Sequence, residues 1–158
     1  MYKKILVPLD GSELAECSLN HVKNLFEKGG PAGEVVLLNA VVVALPWRQM
    51  DRSEGNVSQV FDYRAFVDGF VDKAKKYLEK VQSKASSQGL TVKTEVIESN
   101  SASQTIIKYA HENGVDAIVM ATHGYTGMQK ILLGSVASKV LHESNVPVLL
   151  IRPEACRV

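Results

Sequence analysis

The sequence predicts an α/β fold: a single-domain, doubly wound, five-stranded parallel sheet with helices on both faces. Segments of strand character alternate with segments of helical period along the chain, the order expected of successive β-α-β units with right-handed crossovers. Strand-like runs such as VVLLNAVVV at 35–43 and DAIVMA at 116–121 are apolar without a two-residue alternation. Strands covered on both faces read this way, because crossover helices lie above and below a parallel sheet. The 158 residues suffice for one core and are too few for two ordinary ones.

Lys4 to Leu9 (KILVPL) reads as a short buried strand. Leu14, Ala15, Leu19, Val22, Leu25 and Phe26 form the stripe of a first helix, which Lys28, Gly29, Gly30 and Pro31 bring to a stop. Val35 to Val43 is the second strand, and residues 44–65 form the one long connection. Phe66, Phe70, Val71, Ala74, Leu78, Val81 and Ala85 then mark a long amphipathic helix ending at Gly89. Thr91 to Ile97 alternates like a strand, and Ser101 with Gln104 forms a capping box for a helix carrying Ile106, Ile107 and Ala110, closed by Asn113 and Gly114. Asp116 to Ala121 is the fourth strand, Val136, Val140 and Leu141 mark a short helix, and Val146 to Ile151 is the fifth strand.

Composition narrows the function. A hydrophobic share of 46% and a charged share of 22% exclude a disordered or collagen-like chain. A net charge of +1 supplies no basic field for DNA or RNA. The longest apolar stretch, Val35 to Pro46, is interrupted by Asn39 and is far below membrane-spanning length, so the expectation is a cytoplasmic protein without a membrane partner. Cys17 and Cys156 form no CxxC and are expected to be reduced. His21, His111, His123 and His142 lack the spacings that place two ligands on one helix face, so no metal held by protein side chains is expected.

In doubly wound sheets ligands bind beyond the carboxyl ends of the strands where the winding reverses, which directs attention to the loops after the first and fourth strands. After the fourth strand, Gly124, Gly127 and Gly134 punctuate a loop that enters a helix at Ser135. Such a loop can turn its N–H groups toward a phosphate at a helix N-terminus; equally, its glycines can serve turns while Gly134 and Ser135 cap the helix. Neither GxxxxGK[ST] nor GxGxxG occurs. Asp10, at the end of the first strand, has two readings as well: a carboxylate for ribose hydroxyls, or a helix cap, a task Ser12 can also perform. His123 has no nucleophile or carboxylate at readable spacing, and Ser135 lies outside any GxSxG elbow, so no catalytic residue is assigned. Trp47, Arg48 and Met50 fit a lid, an interface or a plain solvated loop.

The run VMATHGYTGMQKILLGSVASKVLHESNVPVLLI and the opening KILVPLDGS resemble the universal stress protein family, whose nucleotide-binding branch carries G, two residues, G, nine residues, G, then S or T. Gly124, Gly134 and Ser135 match that pattern and Ala121 stands at its first glycine; the likeness fails only in residues 44–65. The resemblance implies a Rossmann-like fold of the adenine nucleotide alpha hydrolase type. It implies an adenine-nucleotide site of Pro8, Asp10, Ala40, Met120, Ala121, His123, Gly124, Gly127, Gly134, Ser135, Val136 and Ala137. The expected ligand is ATP, ADP or AMP with Mg²⁺ or Mn²⁺ held by the phosphates, and the expected assembly a homodimer through Val146 to Ile151. The expected role is a nucleotide-dependent switch in stress response, acting on an unknown signalling partner. The competing readings are a slow ATP hydrolase or an adenylating or flavin-binding enzyme, and a nucleotide-free dimeric scaffold.

Overall fold

A computed structural model describes residues 2–26, 33–43, 62–122 and 133–152. Five strands, β1 (Lys4–Pro8), β2 (Glu34–Val42), β3 (Thr91–Ser99), β4 (Ala117–Ala121) and β5 (Val148–Ile151), form one parallel sheet in the order β3-β2-β1-β4-β5. Helices α1 (Glu13–Val22), α2 (Tyr63–Ser87), α3 (Ala102–Glu112) and α4 (Ser135–Glu143) connect them, with a 3₁₀ turn at Lys23–Leu25 after α1. The chain winds outward from β1 to β3, returns across the sheet to β4, and winds outward the other way to β5. The reversal therefore falls between β1 and β4.

Alternating strand residues divide the core into two layers. Ile5, Val7, Val35, Leu37 and Val119 face α1 and α2, where Leu19, Val22, Leu78, Val81 and Ala85 close on them. Leu6, Val36, Leu38, Ile118 and Met120 face α3 and α4, where Ile106, Ala110, Ala137 and Val140 meet them. These strands are buried on both sides, as their unalternating composition requires.

The amino-terminal edge of the sheet is pinned by two carboxylates. Asp116 Oδ2 accepts the backbone N–H groups of Lys3 at 2.7 Å and Lys4 at 2.8 Å, and these bonds hold its carboxyl below the usual range. This engagement starts β4 at Ala117, one residue later than expected. Glu34 takes Lys93 at 2.7 Å and Lys4 at 3.3 Å, tying the starts of three strands together, and Lys93 foremost lowers its carboxyl.

Several boundaries differ from expectation. The α1 helix proper ends at Val22; the expected stop residues 28–31 lie outside the described residues. The stripe of α2 runs through Val67, Ala74, Leu78, Val81 and Ala85, while Phe70 is 43% exposed. On α4 the buried positions are Ala137 and Val140, and Val136 and Leu141 are exposed. Only half of the capping box forms: Ser101 Oγ accepts the Gln104 N–H, but the Ser101 N–H donates to Ser99 Oγ at 2.9 Å. The fifth strand begins at Val148, because the Val146 N–H turns to Ser144 Oγ at 3.2 Å. Cys17 is buried and disulfide-bonded, against the expected free thiol; pairing depends on spatial approach, which sequence spacing does not encode. Cys156 lies outside the described residues.

Leu78, wholly buried between α2 and the sheet, and the exposed Phe70 give opposite expectations on one helix. Leu78→Ala should cost about 2 to 5 kcal/mol in urea unfolding, and Phe70→Ala should stay within about 1 kcal/mol. Equal losses would mean that the buried stripe of α2 is misplaced.

Candidate functional site

A cavity of about 310 Å³ opens where the winding reverses, within the size range of small-molecule sites. Pro8, Leu9 and Asp10 reach it from the end of β1, Leu38 and Ala40 from β2, and Met120, Ala121 and Thr122 from the end of β4. Gly134, Ser135, Val136 and Ala137 bring the start of α4 to it, and Ala15, Ala102 and Ile106 complete the described wall. The sequence-predicted residues Pro8, Asp10, Ala40, Met120, Ala121, Gly134, Ser135, Val136 and Ala137 thus converge on one cavity. His123, Gly124 and Gly127 lie outside the described residues. Sequence reasoning missed Leu9, Ala15, Leu38, Thr122, Ala102 and Ile106. The last two come from a helix with no glycine motif, and only the topology, which starts α3 on the same face as α4, could have indicated them.

Asp10 sits on a turn whose geometry is dictated locally. Gly11 has φ +91°, a conformation that side chains with a Cβ rarely adopt. The turn brings Ser12 to the N-cap of α1, where its Oγ accepts the Ala15 N–H at 3.1 Å. Asp10 Oδ1 accepts the Ser12 N–H at 3.0 Å and the Ser12 hydroxyl at 2.6 Å. Capping therefore belongs to Ser12, and Asp10 braces the cap from the cavity side. Behind the turn, burial pushes the Tyr77 phenol up, with Glu16 and Asp10 adding to the shift.

The α4 helix starts differently from the other three. Ser12, Asp62 and Ser101 each cap their helix through a side-chain oxygen, whereas Gly134 gives α4 no side-chain cap. The Gly134 N–H donates to Thr122 C=O at 2.7 Å, which joins the helix start to the end of β4. Beyond it, the first amides of α4 have no intrahelical acceptor and carry the positive end of the helix dipole. Gly134 has φ −67° and ψ 154°, extended backbone open to any residue, so the helix does not need glycine there for conformation.

The cavity thus combines an apolar floor, one carboxylate among its described lining side chains, and an uncapped helix start. Among the described residues no group of three His, Cys, Asp or Glu side chains could hold a metal ion, and no helix is long and apolar enough to cross a membrane.

An open parallel sheet with a cavity at its winding reversal defines a Rossmann-like α/β protein. Residues 1–152 match the model of the Universal stress protein family, and the chain belongs to that family. Universal stress protein MJ0577 of Methanocaldococcus jannaschii is 34% identical, with 96% of each chain covered. A solved structure of MJ0577 superposes with a TM-score of 0.76 over 96% of each chain. Two more distant structures share the fold: a universal stress protein in complex with cAMP, at 16% identity and TM-score 0.61 over 95% of this chain and 96% of that one, and an Arabidopsis thaliana family protein with AMP bound, at 14% and 0.63 over 95% and 91%.

Because Asp10 braces the Ser12 cap, Asp10→Ala should lower folding stability by about 0.5 to 1.5 kcal/mol. Asp10→Asn, which keeps an acceptor oxygen, should recover most of the loss. Urea unfolding of both variants checks this, and wild-type stability in Asp10→Ala would remove the brace.

Proposed function

We propose that the chain binds an adenine nucleotide, ATP with Mg²⁺ or Mn²⁺, in this cavity and acts as a nucleotide-dependent regulatory switch in stress response. The observation that carries the reading is the uncapped start of α4 on the same cavity as Asp10. Phosphate oxygens suit the amides of Ser135, Val136 and Ala137, which have no side-chain cap among the described residues. Gly124, Gly127 and His123 continue that seat in the proposal. The Asp10 carboxylate suits ribose hydroxyls, and the apolar surface of Pro8, Ala40, Met120 and Ala121 suits the base. The cAMP and AMP carried by distant neighbours of the same fold agree with an adenine ligand.

The metal in this reading is held by the phosphates and not by side chains. Phosphoryl transfer relies on a water-orienting group and a cation on the phosphates, and among the described lining residues Asp10 is the one charged side chain. A binding module, built as one domain, is therefore favoured over an ATP hydrolase.

Titration calorimetry with ATP on folded variants tests the site. Gly134→Val should reduce affinity more than tenfold, a loss of about 1.4 kcal/mol or greater, because its branched side chain enters the space of a phosphate oxygen. The extended φ at Gly134 means that the fold should survive. Gly127→Ala should be much milder, and wild-type affinity in folded Gly134→Val would move the phosphate seat elsewhere.

The β5 strand lies at a sheet edge, and its Leu149 is 40% exposed. An open apolar edge favours pairing with another strand, so the proposed homodimer forms through β5 of two copies. Leu149→Lys should shift the light-scattering mass toward monomer. A wild-type chain that is monomeric at high concentration would overturn the pairing.

A further inference from the structure

The rung that would follow Pro8 in the pairing of β1 with β2 is replaced by a side chain. In a parallel pair, one residue donates its N–H to a residue on the neighbouring strand and accepts from the residue two further along. The Leu9 N–H donates to Leu38 C=O at 2.8 Å, so the regular continuation would bring the Ala40 N–H to Leu9 C=O. Instead the Asn39 side-chain amide donates to Leu9 C=O, with Nδ2 at 2.9 Å, and strand pairing stops at Pro8↔Leu38. On its other side β2 continues to pair with β3 as far as Val42↔Ser99, so the strand itself remains regular.

Asn39 is not part of the cavity wall, whereas its neighbours Leu38 and Ala40 are. In a strand the main-chain groups of residues two apart point to the same side, so Ala40 directs its N–H and C=O toward β1, as Leu38 does. Beyond Leu9 there is no β1 strand to receive them. With Leu9 C=O already occupied, the Ala40 main chain faces the cavity with a donor and an acceptor side by side.

We propose that Asn39 is a positioning residue: by occupying Leu9 C=O it ends the β1–β2 ladder one rung early, keeps the Ala40 main-chain edge open to a planar base, and fixes the direction in which the chain reaches Asp10. The family resemblance implies that the end of β2 near Ala40 meets adenine through its backbone; the role assigned to Asn39 is to keep that edge open. The ligand half of this inference rests on the nucleotide reading above; the ladder half does not.

Amide exchange followed by NMR in the nucleotide-free full chain tests the ladder half. In the wild type the Ala40 amide should exchange about tenfold or more faster than that of Leu38, whose rung is intact. In Asn39→Ala, Leu9 C=O is released to Ala40, whose amide should become protected. Equal protection of Ala40 and Leu38 in the wild type, or no change at Ala40 in Asn39→Ala, overturns the proposal. For the ligand half, Asn39→Ala should weaken ATP about tenfold and leave inorganic triphosphate binding unchanged, and Asn39→Asp, which also lacks the amide donor, should weaken ATP at least as much. Undiminished ATP affinity in both variants overturns that half. A wild-type chain with the expected exchange pattern and no ATP binding overturns the nucleotide reading, while Asn39 stands as the residue that ends the ladder.

Discussion

The short central strand is the constraint from which the site follows. β1 pairs with β4 only at Ile5↔Ala117 and Leu6↔Ile118, and with β2 only as far as Pro8↔Leu38. On either side the sheet continues further, to Ala121↔Ile151 and to Val42↔Ser99. The middle of the sheet therefore stops before its flanks, and the chain leaves β1 toward one face and β4 toward the other. A crevice at that point is a consequence of connectivity. Its width is set by how soon β1 gives up its hydrogen bonds.

The two ends of the sheet are electrostatically opposite. At the amino-terminal end, carboxylates of Asp116 and Glu34 are committed to backbone N–H groups and lysines, and both are held in the ionised form below the usual range. At the carboxyl-terminal end the helix starts of α1, α3 and α4 gather, with Ala15, Ala102 and Ser135 on the same cavity. Helix starts favour negative charge by a few tenths to about 1 kcal/mol each. The helix starts thus add positive potential to a cavity whose one charged side chain among the described lining residues is Asp10.

Much of this was legible in the sequence for a physical reason. Strands covered on both faces must be apolar without alternation, so 35–43 and 116–121 announced both their class and the parallel sheet. Strand ends and helix starts at the winding reversal then pointed to Asp10 and to the loop ending at Gly134, while Ala40 and Ala121 came from the family resemblance. What stayed hidden depends on contacts distant in sequence. Phe70 and Leu141 have helical spacing yet lie outside the core, because periodicity gives a stripe and leaves the boundary of burial to the neighbouring elements. Asn39 reads only as a break in an apolar run; its bond to Leu9 spans thirty positions. The disulfide of Cys17 likewise has no local signal.

Gly134 shows how the absence of one interaction can be informative. A serine or aspartate at that N-cap would stabilise α4 by only about a few tenths of a kcal/mol over glycine; Ser12, Asp62 and Ser101 hold that position in the other helices. Its φ of −67° and ψ of 154° would accept any of those residues, so conformation does not account for the glycine. Its own N–H is already committed to Thr122 C=O. The remaining consequence of glycine is spatial: no side chain competes for the first amides of α4 or fills the volume before them. A capping side chain would satisfy one of those amides, whereas glycine brings no side-chain acceptor to them. In the proposed nucleotide site a ligand phosphate would supply the acceptor that glycine does not, at a small cost to the helix.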